Sequence, residues 1–276
     1  MSYQFLQPST LGEAAEILNT YEDVRILAGG TDLLVLLKDR ALTCRYIMDI
    51  KKIPELNVFD KSDKGLQIGG AVSLSKLIAA DFTGGAFSVL RDSASVLANS
   101  LLRNRATLIG NICNASPGGD MLPAALVLDG LLEAVCATGS RQIPLREFFT
   151  GVKKHVLQKN ELITKITFPA KEGKGVYLKK KRIKGHDLAQ VGVAAFWADT
   201  GELSLAVGAA APTPVLFTGL GPFDKKTLAK ARADIEREVL NRINPISDTR
   251  SSREYRIAMV KYFIGEIISR WTGEGV

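Results

Sequence analysis

The sequence has few of the residues that bind metals or form disulfides. Its 276 residues include three cysteines, Cys44, Cys113 and Cys136, and only two histidines. None of the cysteines belongs to a Cys-x-x-Cys pair, so the chain offers no ligand set for zinc or for a four-cysteine iron–sulfur cluster. An odd, unpatterned set also favours a reducing compartment with unpaired thiols. We therefore expect no metal site in this chain, and any metal redox centre that works with it must lie in another polypeptide.

Long apolar runs are also lacking. The most apolar stretch, residues 124–137, is interrupted by Asp129 and Glu133, so no segment is expected to cross a membrane. The N-terminal residues show no basic region followed by an apolar one, and no signal peptide is indicated. These patterns predict a cytoplasmic protein without a membrane partner.

The composition is that of a globular protein, with 46% hydrophobic and 24% charged residues, but the net charge of +7 is unusual. A basic field favours nucleic acid, an anionic cofactor or a negatively charged partner subunit. Much of the charge lies in residues 179–184 (KKKRIK). Because no aromatic residues are interleaved, this run is more typical of a solvated face than of a nucleic-acid site. We expect no nucleic-acid partner.

Two glycine-containing turns are the most informative pattern. Residues 28–32 (AGGTD) follow the apolar run 24–27, and residues 107–111 (TLIGN) lead into residues 114–120 (NASPGGD). Glycine permits a close backbone approach, so consecutive N–H groups in such turns can form a nest for a pyrophosphate. The threonines add hydroxyl donors, and Asp32 and Asp120 are acceptors for ribose or ring N–H groups.

Either turn alone also fits an ordinary strand-to-helix connection, with Thr31 or Asp32 as the N-cap of a short helix. The pair favours a dinucleotide held in a cleft with one turn on each wall. Two commoner nucleotide-binding patterns are excluded. No Gly-x-Gly-x-x-Gly follows a strand, and Gly-x-x-x-x-Gly-Lys-Ser/Thr does not occur.

Five segments, in the same order, resemble the FAD-binding, medium-size subunits of molybdenum hydroxylases, the family that includes xanthine dehydrogenase and aerobic carbon monoxide dehydrogenase. The resemblance covers nearly the whole chain. Its segments are residues 26–34 (ILAGGTDLL), 102–120 (LRNRATLIGNICNASPGGD) with 123–126 (PAAL), 161–163 (ELI) with 166–169 (ITFP), 177–179 (YLK) with 187–189 (DLA), and 247–250 (SDTR) with 254–256 (EYR). One departure is Ile109, which stands where the family usually has a first glycine in the second turn.

The resemblance implies a noncovalent FAD site. Carried over by position, FAD would contact Leu27, Ala28, Gly29, Gly30, Thr31, Asp32, Leu33, Thr107, Leu108, Ile109, Gly110, Asn111, Ser116 and Asp120, with Ile163 at the adenine or ring end and Lys179 at the flavin edge. A cation there would stabilise the negative charge of a reduced flavin. The residues alone leave open that Lys179 is a solvated strand lysine. Neither His155 nor His186 lies in a turn that matches covalent attachment of FAD.

The resemblance also implies a place in an electron-transfer complex. A molybdenum subunit would hydroxylate the substrate, an iron–sulfur subunit would carry the electrons, and FAD in this chain would pass them to NAD or another acceptor. Two alternatives stay open. One is a self-contained FAD-dependent oxidoreductase of the same fold, which needs an acid or base over the flavin that the sequence does not reveal. The other is a basic module that binds nucleotides or nucleic acid.

The fold implied by the resemblance is α+β: a two-part FAD-binding fold of the vanillyl-alcohol-oxidase type, then a smaller α/β C-terminal domain with an antiparallel sheet and helices. The expected parts are residues 1–54, 55–170 and 171–276, with residues 170–175 as the linker.

Local patterns predict several elements directly. They include a helix opened by Thr10 and Glu13, a strand at 24–27, and helices around 87–98, 123–131 and 226–240. A last helix is predicted to open at Ser251 and Glu254. Its apolar stripe is expected in the core, at Val260, Phe263, Ile264, Ile267, Ile268 and Trp271.

Overall fold

The computed structural model describes residues 3–81 and 85–273. Within these ranges the strands are β1 Gln4–Leu6, β2 Val24–Leu27, β3 Tyr46–Asp49, β4 Phe59–Ser62, β5 Gly65–Gly69, β6 Leu131–Cys136, β7 Gly139–Pro144, β8 Phe149–Gly151, β9 Lys154–His155, β10 Leu162–Pro169, β11 Gly173–Lys180, β12 Val191–Ala198, β13 Leu203–Gly208 and β14 Val215–Leu220. The helices are α1 Leu11–Thr20, α2 Leu33–Lys38, α3 Leu74–Ala79, α4 Ser88–Val96, α5 Ser100–Arg103, α6 Leu108–Asn114, α7 Met121–Leu126, α8 Lys225–Arg242 and α9 Arg253–Thr272.

The N-terminal sheet is parallel, in the order β1-β3-β2. Its first helix, α1, begins as predicted, because the Thr10 hydroxyl accepts the N–H of Glu13 at 3.1 Å. Leu27 lies opposite Asp49, so β2 and β3 end together at one edge of the sheet. Ligands of such sheets bind outside the carboxyl ends of the strands, and the glycine segment 28–32 starts at this edge.

The second sheet is antiparallel, in the order β4-β5-β10-β6-β7. Its largest hydrophobic core includes residues of α3, α4, α6 and α7 together with Ile163 and Ile166 of β10. The predicted helix around 123–131 is shorter in the structure. It ends at Leu126, because Asp129 has a φ of +54° and starts the turn into β6.

The third sheet is an antiparallel meander, β11-β12-β13-β14, and both of its faces are covered. The alternation along β12 shows this, since successive strand residues point to opposite faces. Val191, Val193 and Ala195 lie in the core that includes residues of α8 and α9, whereas Ala194 and Phe196 lie in the core of the second sheet. The C-terminal sheet therefore shares one core with α6, which carries the second glycine segment.

In the C-terminal part, the predicted linker is partly a strand, and the predicted start of the last helix is wrong by one residue. Residues 170–175 are not a free linker, because β11 already begins at Gly173, which pairs with Ala198. The last helix has Ser252 as its N-cap, with the hydroxyl accepting the N–H of Tyr255 at 3.2 Å, rather than Ser251. The apolar stripe of α9 is in the core as predicted, and Trp271 packs at its edge.

Candidate functional site

The first glycine segment offers a row of unsatisfied donors. The backbone N–H groups of residues 28–32 donate no hydrogen bond to any atom of residues 3–81 or 85–273. Gly30 has a φ of +76°, which a residue with a side chain rarely adopts. Successive N–H groups in such a conformation form a concave site for an anion. This geometry fits the predicted role in binding a pyrophosphate.

The first segment lies directly against the second. A Cβ built on Gly29 would lie 2.3 Å from the carbonyl oxygen of Arg105 and 2.9 Å from Cα of Ala106, so only glycine permits this approach. Asn114, at the end of α6, donates from Nδ2 to Oδ1 of Asp32 at 3.0 Å. The structure thus brings together two segments that are about eighty positions apart, and Asn114 is a joining residue that the sequence interpretation missed.

The second segment is not an open glycine turn. Thr107 is the N-cap of α6, and its hydroxyl accepts the N–H of Gly110 at 2.9 Å. The N–H of Asn111 is bonded to the carbonyl of Thr107. These two donors are therefore unavailable to a ligand, whereas the N–H groups of Leu108 and Ile109 donate to no atom of residues 3–81 or 85–273. The second segment is the first turn of a helix rather than an open glycine turn. The physical reason is that Leu108, Ile109 and Ile112 are buried with helical spacing, a signal that the sequence already contained.

The loop after α6 is fixed by backbone contacts. Ala115 ends the helix with a φ of +45°, and its carbonyl accepts the N–H of Lys153 at 3.0 Å. The Asn111 side chain accepts the N–H of Met121 at 3.2 Å, and the Ser116 carbonyl accepts the N–H of Gly119. Asn111 of α6 thus contacts the start of α7, and the loop between the two helices contains Ser116 and Asp120.

Asp120 and Lys179, which were predicted to have separate roles, form a buried ion pair. Nζ of Lys179 lies 2.8 Å from Oδ2 of Asp120, and the two side chains are 2% and 5% exposed. The Tyr177 hydroxyl donates to Oδ1 of the same carboxylate at 2.9 Å. Tyr177 was missed, yet it is two positions from Lys179 on β11 and so lies on the same face of the strand.

Further hydrogen bonds hold both members of the Asp120–Lys179 ion pair. Lys179 also donates to the carbonyls of Asp187 at 3.0 Å and Val96 at 3.4 Å, so all three of its N–H bonds have acceptors in the protein. The solvated alternative for Lys179 is therefore wrong. In addition, the buried Ser93 hydroxyl donates to the backbone carbonyl of Asp120 at 2.7 Å. The arrangement fixes Asp120 from two elements, β11 and α4.

Burial dominates the electrostatics of this cluster. It raises the pKa of the Asp120 carboxyl, while Lys179 and Tyr177 act in the opposite direction. Burial and the neighbouring carboxylate hold the pKa of Tyr177 well above its usual value, so its hydroxyl stays protonated and donates. Burial also raises the pKa of Cys113 to about 12. The Cys113 thiol is therefore a neutral packing group rather than a nucleophile.

The remaining predicted residues lie in different settings. Ile163 is 2% exposed and belongs to the core under α6, so a cofactor contact at this position would involve its backbone rather than its side chain. Leu27 is buried, and Leu33 begins α2. His155 stacks on Phe148, and burial lowers its pKa. In the described part of the chain, no group of three His, Cys, Asp or Glu side chains is arranged to hold a metal, and no helix is long and apolar enough to span a bilayer.

Comparison with known proteins gives consistent matches along the whole chain. Residues 1–171 match the family described as the FAD binding domain in molybdopterin dehydrogenase. The chain is 32% identical over 275 residues to the xanthine dehydrogenase FAD-binding subunit of Escherichia coli O157:H7, covering 95% of this chain and 93% of that one. It is 31% identical over 265 residues to the glyceraldehyde dehydrogenase medium chain of Sulfolobus acidocaldarius, covering 94% of both. The solved structure of reconstituted CO dehydrogenase from Oligotropha carboxidovorans matches with a TM-score of 0.87 at 26% identity, covering 100% of this chain and 99% of that chain.

Proposed function

This chain belongs to the family of FAD-binding subunits of molybdenum hydroxylases, and we propose that it accepts electrons from the iron–sulfur clusters of a partner subunit and passes them to NAD or another acceptor. A further partner with the molybdenum cofactor would oxidise the organic substrate. The bound FAD supplies the redox chemistry. The chain itself binds FAD, orients it and sets the charge around it.

The free N–H row at residues 28–32 is the observation that carries this assignment. Residues 28–31 are half-buried, so these donors point to solvent that an anion can replace, and the pyrophosphate of FAD is an anion of suitable chemistry. Asp32 and Asn114 would contact the cofactor from the junction of the two segments. Because the N–H bonds of Lys179 are all engaged, it would act on the flavin through its charge and through Asp120 rather than by a direct bond.

The proposal includes a specific fold and division of the chain. We assign a two-part FAD-binding fold of the vanillyl-alcohol-oxidase type to residues 1–54 and 55–170, and a C-terminal domain to residues 171–276. The separate sheets support this division, because each part contains one of the three larger sheets. The shared core along β12 indicates that the second and third parts are firmly attached.

Both alternatives from the sequence are less well supported. A self-contained oxidoreductase needs a proton donor or acceptor over the flavin, but the Asp120 carboxyl is held in an ion pair with Lys179 and by the Tyr177 hydroxyl. A nucleic-acid module would use the basic run 179–184, whose first member, Lys179, is buried in an ion pair.

We expect purified protein to contain one dissociable FAD per chain. The chain should be yellow after gentle purification, and acid precipitation should release intact FAD into the supernatant, because no histidine lies at a linking position. The measurement is the flavin absorbance of the supernatant and of the pellet. Colour that stays with the pellet would contradict noncovalent binding, and protein that takes up no FAD on reconstitution would contradict the proposed function.

We also expect the chain to assemble with two different subunits. The similar chains are named as an FAD-binding subunit and as medium chains of dehydrogenases, which supports a complex with further subunits. Affinity isolation from the native host should recover a subunit with the molybdenum cofactor and a subunit with iron–sulfur clusters, identified by mass spectrometry and metal analysis. Recovery of the chain alone, with full turnover of an organic substrate, would favour the self-contained oxidoreductase.

A further inference from the structure

We propose that Tyr177 is a positioning residue of the cofactor site, which acts by orienting the Asp120 carboxylate and depends on Gly192 for its own placement. The inference rests on the proposed function, because it assigns Asp120 to the FAD site. It adds two residues of the C-terminal sheet, Tyr177 and Gly192, which together set the orientation of Asp120 on the FAD-binding side.

The contacts of Tyr177 are specific. Its hydroxyl donates to Oδ1 of Asp120 at 2.9 Å, and Lys179 donates to Oδ2 at 2.8 Å. Each carboxylate oxygen can accept two hydrogen bonds, so each has capacity for one more donor. With one donor fixed on each oxygen, the carboxylate plane cannot rotate, and the free lone pairs have a defined direction. A ring N–H or a ribose hydroxyl of FAD is a donor of the kind that they can accept.

Gly192 provides the space that this arrangement needs. It lies opposite Lys179 in the pairing of β11 with β12. A Cβ at this position would lie 2.2 Å from the Tyr177 hydroxyl oxygen and 2.9 Å from Cζ of the ring. Glycine in the interior of a strand normally weakens it. Here its lack of a side chain lets the Tyr177 ring lie across the sheet and reach Asp120.

The hydroxyl, rather than the ring, is what the proposal requires. Tyr177→Phe keeps the ring in the core and removes only the bond to Asp120, so the apoprotein should fold. We expect the FAD dissociation constant to rise roughly tenfold, the value for one hydrogen bond to a charged group. Tyr262→Phe is the matched control, since Tyr262 lies on α9 and is 49% exposed, and it should leave the constant unchanged.

A double-mutant cycle tests whether Tyr177 acts through Asp120. Asp120→Asn should weaken FAD binding, and Tyr177→Phe added to it should cause little further loss, because the carboxylate that Tyr177 orients is absent. Gly192→Ala should weaken binding by displacing the ring although the hydroxyl remains. Gly151→Ala is its control, since a Cβ there would meet only Lys154 at 3.7 Å or more.

Each outcome decides the proposal. FAD binding by Tyr177→Phe at wild-type affinity would overturn it, even if the melting temperature of the apoprotein fell, because Tyr177 would then be a packing residue only. Full additivity with Asp120→Asn would also overturn it. Wild-type protein that binds no FAD would show instead that the proposed function has failed. A rise in the dissociation constant that disappears in the Asp120→Asn background would support the inference.

Discussion

Gly29→Ala is expected to reduce FAD affinity by roughly 10- to 100-fold, which corresponds to the 1–3 kcal/mol cost of inserting a methyl group into a packed site. The added Cβ would meet the carbonyl oxygen of Arg105 at 2.3 Å. This oxygen is a backbone atom, as is Cα of Ala106 at 2.9 Å, so neither can rotate away from the added methyl group. The first segment must move off the second, and the free N–H row moves with it. Titration of apoprotein with FAD, followed by flavin fluorescence, measures the effect.

The other glycines provide graded comparisons. Gly30→Val should also lose FAD, because Gly30 has a φ of +76° and valine is strained there. At Gly110 the positive-φ argument does not apply, since the residue is helical. A Cβ there would meet the Thr107 hydroxyl at 2.7 Å. Gly110→Ala should therefore disturb only the hydrogen bond by which Thr107 caps α6, and it should lower the free energy of unfolding by about 1 kcal/mol. Gly12→Ala, whose Cβ would meet only Thr10 at 3.9 Å, is the neutral control. Equal affinities of Gly29→Ala and wild type would show that contact between the segments does not matter.

Lys179→Met is expected to lower the free energy of unfolding by about 3–5 kcal/mol, because it leaves the buried Asp120 carboxylate without its cation. Lys165→Met is the matched control. It breaks the pair of Lys165 with Glu133, whose side chains are 35% and 30% exposed, and should cost about 1 kcal/mol or less. Urea denaturation of the apoproteins measures both. A Lys179→Met protein as stable as Lys165→Met would mean that the ion pair contributes little.

The loss of unfolding free energy in Lys179→Met should depend on pH in a defined direction. Lys179 lowers the pKa of Asp120, so its removal raises that pKa further above the value in the unfolded chain. A carboxyl with a raised pKa in the folded state stabilises the protein at low pH, and this stability is lost as the pH rises through the raised pKa. The difference in stability from wild type should therefore be smaller at about pH 5 than at about pH 8. The opposite trend would contradict a buried Asp120 without a partner.

The ion pair also changes what is expected of the flavin potential. For an isolated Lys179, a Coulomb argument predicts that Lys179→Met lowers the potential by some tens of millivolts at most. In the structure Asp120 offsets the lysine charge at 2.8 Å. Once Lys179 is replaced, a protonated Asp120 leaves almost the same net charge, so the shift should be smaller than the isolated lysine predicts.

The sequence predicted features formed by neighbouring residues better than contacts between distant ones. The first segment was identifiable from consecutive glycines after an apolar strand, and Thr10 marked the start of α1. The second segment was predicted as an open turn, but it begins α6, and the buried Leu108, Ile109 and Ile112 have the spacing of a helix face. The Asp120–Lys179 contact joins positions 59 residues apart, and nothing in the spacing of the chain encodes such a pair. Family resemblance placed both residues at one site but did not show that they bind each other.

The double-sided burial of β12 implies that the module recognised in the sequence does not coincide with an autonomous folding unit. The family match ends at residue 171, yet Tyr177, Ala194, Phe196 and Ala206 belong to the same core as α4 and α7. A fragment that stops at the end of the match would expose this apolar surface to water. Any chimera that exchanges flavin modules between relatives must therefore carry β11, β12 and β13 with the N-terminal region, so that these strands continue to cover its apolar surface.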